Sequence, residues 1–117
     1  MKKDSRIQAR RDFLKIAQSG FYFKFGAMVV QSDLNNLGRC RVGFTASRRV
    51  GNAVVRNRCK RRMRALADAI ITDIGMSGVD YVFIAKSAIC HADWSLLLND
   101  TRRAVLLLNR KLLKCKK

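Results

Sequence analysis

Phe13, Ile16 and Ala17 recur at helical spacing after a polar, basic opening from Met1 to Arg11, predicting a short helix from Asp12 to Gln18. Asp12 lies at its cap or in its first turn, and Gly20 ends it. The run FYFKFGAMVVQ, Phe21 to Gln31, is aromatic and β-branched, which suits a pleated surface. Gly26 in its middle predicts a bulge or break, giving one or two short strands. Ser32 to Gly38 has the composition of a turn. From Arg39 to Ala46, Cys40, Val42, Phe44 and Ala46 alternate with Arg39, Arg41, Gly43 and Thr45, the mark of a half-buried strand. One face packs on a core; the other offers arginines to phosphate.

After the connection Ser47 to Gly51, a principal helix is expected from Asn52, its N-cap, to about Ile71. Gly75, Ser77 and Gly78 break the chain before Val79 to Lys86 (VDYVFIAK), a mostly buried strand. A long helix follows from Asp93, its cap, to about Leu113. Its Trp94, Leu97, Leu98, Val105, Leu108 and Leu112 form one apolar stripe, and Arg110, Lys111 and Lys114 suit its C-terminal end. The expected fold is therefore α+β: a two-layer α/β sandwich with one small sheet and helices on it, in the order α-β-β-β-α-β-α. With 117 residues, positions 1–117 form a single domain.

Charge narrows the function. Twenty-five Lys and Arg stand against 8 acids, every one an Asp, for a net charge of +17. Such a chain repels itself, and a polyanionic partner that neutralises it is the economical explanation. No N-terminal apolar run has signal-peptide length and no stretch approaches the roughly 20 apolar residues of a membrane span. A soluble, cytoplasmic protein with no membrane partner is expected. Cys40, Cys59, Cys90 and Cys115 contain no CxxC pair and have only His91 to help them, so they read as reduced, partly buried thiols, with no metal site. A protein nuclease needs clustered carboxylates or an acid and base pair around the scissile phosphate. The aspartates are dispersed, Asp80 opens a strand, and His91 beside Asp93 reads as a surface or capping residue. No catalytic residue is expected in the protein itself.

Between Arg48 and Arg64 lie eight basic residues and no acid: Arg48, Arg49, Arg56, Arg58, Lys60, Arg61, Arg62 and Arg64. At roughly 100° per residue, Val55, Cys59, Met63, Leu66 and Ile70 fall in a sector about 80° wide, while Arg56, Asn57, Lys60, Arg61 and Arg64 fill another about 140° wide. Solubilising helices mix signs, whereas Arg56, Lys60 and Arg64 are like charges at i, i+4 spacing that destabilise the free helix. Phosphates along that face offset the repulsion, and the excess of Arg over Lys favours bidentate phosphate contacts.

The run Ser47-Arg48-Arg49-Val50-Gly51-Asn52-Ala53-Val54-Val55-Arg56-Asn57-Arg58-Cys59-Lys60-Arg61-Arg62-Met63-Arg64 resembles the signature of the bacterial ribonuclease P protein family. Arg56-Asn57-Arg58, Lys60-Arg61 and Arg64 match its core. Further matches are Arg6 and Ile7, Asp12-Phe13, Gly20, Val42-Gly43, Asp80-Tyr81-Val82 and Ala85-Lys86, so the resemblance spans roughly residues 6 to 110. It implies a subunit of a ribonucleoprotein endonuclease that removes the 5′ leader of precursor tRNA, with the chemistry done by the catalytic RNA and its magnesium ions. No cofactor on the protein alone and no obligate protein partner are implied. The basic helix, with Arg48, Arg49, Arg56, Asn57, Arg58, Lys60, Arg61 and Arg64, is expected to face the catalytic RNA. A cleft between that helix and the sheet is expected to receive the leader, lined by Phe13, Arg41 and Phe44. Phe13 also fits a core role, and Ala17 and Gln31 stand where some relatives carry aromatic residues. The resemblance further implies a ribosomal-protein-like, left-handed β-α-β crossover through the basic helix, against the general rule. The alternatives are a basic ribosomal protein binding rRNA and, from another class, a DNA-binding regulator, although nothing between Gly38 and Asn52 looks like the short helix-turn that precedes a recognition helix.

Overall fold

The computed structural model describes residues 5–115. Its elements are α1 (Arg10–Ser19), β1 (Phe21–Phe25), β2 (Met28–Leu34), β3 (Arg41–Thr45), α2 (Ala53–Ile74), β4 (Val79–Ala85), a 3-10 turn (Ser87–Cys90) and α3 (Trp94–Cys115). The expected α-β-β-β-α-β-α order is the observed one. No helix of the described residues is long and apolar enough to cross a membrane.

The four strands form one sheet in the order β1-β2-β4-β3. β1, β2 and β4 pair antiparallel, and β3 pairs parallel with β4, to which α2 connects it. Gly26 is neither bulge nor simple break: Phe25 pairs with Met28, so Gly26 and Ala27 form a two-residue hairpin turn. β2 then runs on through Ser32 to Leu34, residues whose composition suggests a turn. Tertiary pairing overrides that composition, because Ser32, Asp33 and Leu34 register against Tyr81, Asp80 and Val79 of the buried strand β4. The turn begins only at Asn35, whose side chain accepts from the Leu37 N–H at 2.8 Å; Asn36 and Gly38 take positive φ of 58° and 70°.

Alternation along β4 assigns two cores. Val79, Tyr81, Phe83 and Ala85 point to α2 and α3, meeting Met63, Leu66, Ile70, Val105 and Leu108 in the main cluster. Val82 and Ile84 point the other way, to a smaller cluster with Ile7, Phe13 and Ile16. The main body is thus the expected two-layer sandwich, and α1 lies alone on the back of the sheet. A buried network ties the layers at one end: the Tyr81 hydroxyl donates to Asn109 Oδ1 and accepts from the Met76 N–H, while Asn109 Nδ2 donates to the Ile74 carbonyl. Burial pushes the Tyr81 hydroxyl up to about 12, so it stays a donor.

Candidate nucleic-acid interface

Asn52 caps α2 as expected, its Oδ1 accepting from the Val55 N–H at 3.0 Å. The inner side of the helix buries Cys59, Met63, Leu66 and Ile70 completely. On the outer side Asn57, Arg61 and Arg64 are exposed, with Arg56 and Lys60 half-buried along one flank. Arg48 and Arg49 are exposed in the turn just before the helix. The ion pairs Lys15–Asp33, Arg41–Asp12, Arg41–Asp80 and Arg102–Asp73 lie away from this face. The face is an arginine-rich surface anchored by its reverse side.

The basic run does not act as one unit. Arg58 is exposed but stands roughly 200° around the helix from Arg56, on the opposite flank. Arg62 turns inward toward the 3-10 turn, donating to the carbonyls of Ile89 and, at 2.9 Å, Ala92, with its guanidinium 5.6 Å from the centroid of Trp94. It braces α2 against the start of α3. Its position on the edge of the apolar sector is the sequence signal that sets it apart from its neighbours. Arg62→Ala should cost about 2–3 kcal/mol of stability in chemical denaturation, from two charge-assisted hydrogen bonds, while leaving the salt dependence of RNA binding unchanged.

The residues expected to line a cleft are not brought together. The main core fills most of the space between α2 and the sheet, leaving a small hollow lined by Arg6, Phe44, Arg64 and Asp68 that neither Phe13 nor Arg41 reaches. Phe44 lies on that filled side, edge-on to Phe83 at 5.9 Å and beneath the Arg6 guanidinium. Phe13 and Arg41 lie on the back of the sheet. Phe13 packs on Gly43 so closely that a Cβ there would sit 2.6 Å from Phe13 Cε1. Arg41 grips Asp80 through two nitrogens, Nε at 2.9 Å and Nη2 at 2.7 Å, and Asp12 at 3.5 Å. Its hydrogen bond to Asp80, the largest influence, holds its guanidinium above the usual range. The side chains of Arg41 and Asp80 are only 13% and 4% exposed, leaving Arg41 little to offer a phosphate.

What the back face does present is a strip that α1 leaves open. α1 is tied to the end of the sheet near Asp33, through Lys15 and Ser19, and by the Asp12–Arg41 contact. One row along, Lys24, Val29, Ile84 and Thr45 register across all four strands. Lys24 is exposed and the others half-buried; Tyr22, 58% exposed, and the half-buried Gln31 and Phe13 lie beside them. Sequence reading missed Tyr22 and Lys24, although they alternate with the inward-facing Phe21, Phe23 and Phe25.

Among the described residues no group of three or more His, Cys or Asp side chains gathers as a metal site. All four cysteines are free. Burial first, then the Asp80 charge, pushes the Cys40 thiol up to about 11, so it remains protonated at neutral pH. The surface is equipped to bind a polyanion.

Comparison with known proteins agrees with this geometry. The family model for ribonuclease P matches residues 1–109. The ribonuclease P protein component of Ruegeria pomeroyi is 43% identical over 105 residues, covering 86% of this chain and 83% of that protein. That of Streptococcus pneumoniae is 36% identical over 89 residues, covering 76% and 72%. Among solved structures, the RNase P protein of Staphylococcus aureus superposes with a TM-score of 0.73 at 25% identity, covering 88% of this chain and 94% of that one. The RNase P protein from Thermotoga maritima gives 0.70 at 29% identity, covering 90% and 96%. An arginine-rich helix anchored on a four-stranded sheet thus comes with a family match over nearly the whole length, and this chain belongs to the ribonuclease P protein component family.

Proposed function

We propose that this chain works as the protein subunit of the ribonucleoprotein ribonuclease P, with its two opposite surfaces holding two different RNAs. The α2 face, with Arg48 and Arg49, holds the catalytic RNA. The open strip on the back of the sheet holds the single-stranded 5′ leader of precursor tRNA in the cytoplasm. The observation that carries this reading is the split character of α2, whose Cys59, Met63, Leu66 and Ile70 are buried while Asn57, Arg61 and Arg64 are exposed on the other side. A basic ribosomal protein is not favoured by the family assignment.

In this reading the protein positions and the RNA cuts. Bond cleavage and its magnesium ions belong to the catalytic RNA, and the protein's part is charge neutralisation and a platform. A leader crossing the strip meets Lys24 for its phosphates, Val29 and Ile84 as an apolar floor, and Tyr22 and Phe13 as stacking surfaces. Base stacking on an aromatic contributes about 1–3 kcal/mol per base. Tyr22→Ala should therefore weaken binding of leader-bearing substrate by the assembled particle roughly 5- to 100-fold while sparing assembly and stability. Phe13→Ala should also lower stability, since Phe13 packs on Gly43.

The test is reconstitution. With the partner RNA at low magnesium, adding this protein should stimulate leader removal, and more so for substrates with a leader long enough to cross the strip. Equal cleavage with and without the protein, for long and short leaders alike, would refute the proposal.

A further inference from the structure

Beneath the arginine-rich face two thiols meet. Cys59, fully buried in the second turn of α2, has its Sγ 2.8 Å from the Sγ of Cys90, which closes the 3-10 turn and is half-buried. The two residues are 31 positions apart, so only the fold brings them together. A disulfide has an S–S distance of about 2.05 Å, leaving roughly 0.8 Å of further approach. Arg62 already holds this turn against α2 through the carbonyls of Ile89 and Ala92, on either side of Cys90. The sulfurs are therefore kept in register by contacts that do not depend on them.

We propose that Cys59 and Cys90 are a redox-modifiable pair, in which hydrogen peroxide closes a reversible disulfide that clamps α2 to the 3-10 turn. Cys90, the partly exposed member, meets the oxidant. Burial, reinforced by the neighbouring Cys90, pushes the Cys59 thiol up to about 11 against the opposing pull of Arg58 and Arg62, so Cys59 stays protonated until it resolves. The Cys90 thiolate attacks one peroxide oxygen, the O–O bond breaks, and with a proton from solvent one water leaves a sulfenic acid on Cys90. Cys59 sulfur then bonds to Cys90 sulfur as its proton joins the departing hydroxide, giving a second water. The two thiols lose two electrons and the peroxide gains them. A dithiol reductant reverses the bond by exchange.

The clamp stabilises without blocking. Cys59 lies roughly 140–200° around α2 from Arg64, Asn57 and Arg61, so closure leaves the outer face as it is. The proposal stands independently of which RNA that face binds.

The test is peroxide treatment of the folded, full-length chain. Intact mass should fall by two hydrogens per chain, and digestion without reduction should yield a peptide pair joined through Cys59 and Cys90 that dithiothreitol separates. Tm should rise by roughly 5–15 °C for a loop of this length. Affinity for a structured RNA should change less than about threefold, well under 1.4 kcal/mol. Cys90→Ser, at the half-exposed position, and Cys59→Ala, as a second variant, should each abolish both the cross-link and the rise in Tm. Accumulation of Cys90 sulfinic acid with Cys59 still a free thiol would overturn the proposal. So would disulfides formed only between chains through the exposed Cys115, or a tenfold loss of RNA affinity on oxidation.

Discussion

Replacing Lys60, Arg61 and Arg64 together with alanine is expected to weaken binding of the catalytic RNA about 100- to 1,000-fold at moderate salt. In the proposed complex each would form a charge-assisted contact worth about 1.5–3 kcal/mol at most, and losses within one patch are not additive. The slope of log affinity against log salt should become shallower by about 2 to 3, because each lost phosphate contact releases roughly one counterion fewer. The free protein should melt at the same temperature or slightly higher, since the like-charge pair of Lys60 and Arg64 is relieved by a few tenths of a kcal/mol. Titration with the partner RNA at several salt concentrations, beside a melt of the free variant, measures both. Unchanged affinity and slope would remove α2 from the RNA interface.

Asp80→Ala is expected to cost about 3–5 kcal/mol, a large share of the 5–15 kcal/mol that holds a small domain together. The loss leaves the Arg41 guanidinium, whose side chain is only 13% exposed, with a single more distant carboxylate, Asp12 at 3.5 Å. Asn35, which donates to Asp80 at 2.8 Å, loses its anchor too. β3 and β4 register at Arg41 and Asp80, so the damage falls on the junction that carries the chain into α2. The double variant Arg41→Met, Asp80→Leu should regain most of the stability, because an apolar pair can replace a buried ion pair. Urea unfolding of the three proteins measures this, and a loss below 1 kcal/mol for Asp80→Ala would show that solvent reaches Arg41.

Much of this was readable before folding. The 3.6-residue spacing of Cys59, Met63, Leu66 and Ile70 and the cap at Asn52 located α2 to within a few residues at its end, Ile74 rather than Ile71. Asp93 likewise caps α3, its Oδ2 accepting from the Leu96 N–H at 3.2 Å. α1 begins two residues before Asp12, at Arg10, with Ala9 supplying no side-chain cap.

Periodicity says which residues are buried but not against what, and that is where reading failed. The alternation in β3 puts Phe44 and Arg41 on opposite faces, so no single cleft can hold both side chains. Arg41 looked free because its partner Asp80 is 39 positions away and becomes its neighbour only through the parallel pairing of β3 with β4. What Arg62 braces was equally hidden, since the carbonyls it serves belong to a 3-10 turn with no strong sequence signature. The open strip depends on where α1 stops along the sheet, a distance set by contacts from Lys15 and Ser19 to Asp33.

The central claim is that opposite surfaces serve different RNAs, and photo-cross-linking tests it most directly. A probe at Asn57 on α2 and another at Lys24 on the back strip would be introduced separately and each protein assembled with the catalytic RNA and precursor tRNA. The account predicts that Asn57 labels the catalytic RNA and Lys24 labels the leader. Labelling of the same strand from both positions, or of the leader from Asn57, would contradict it.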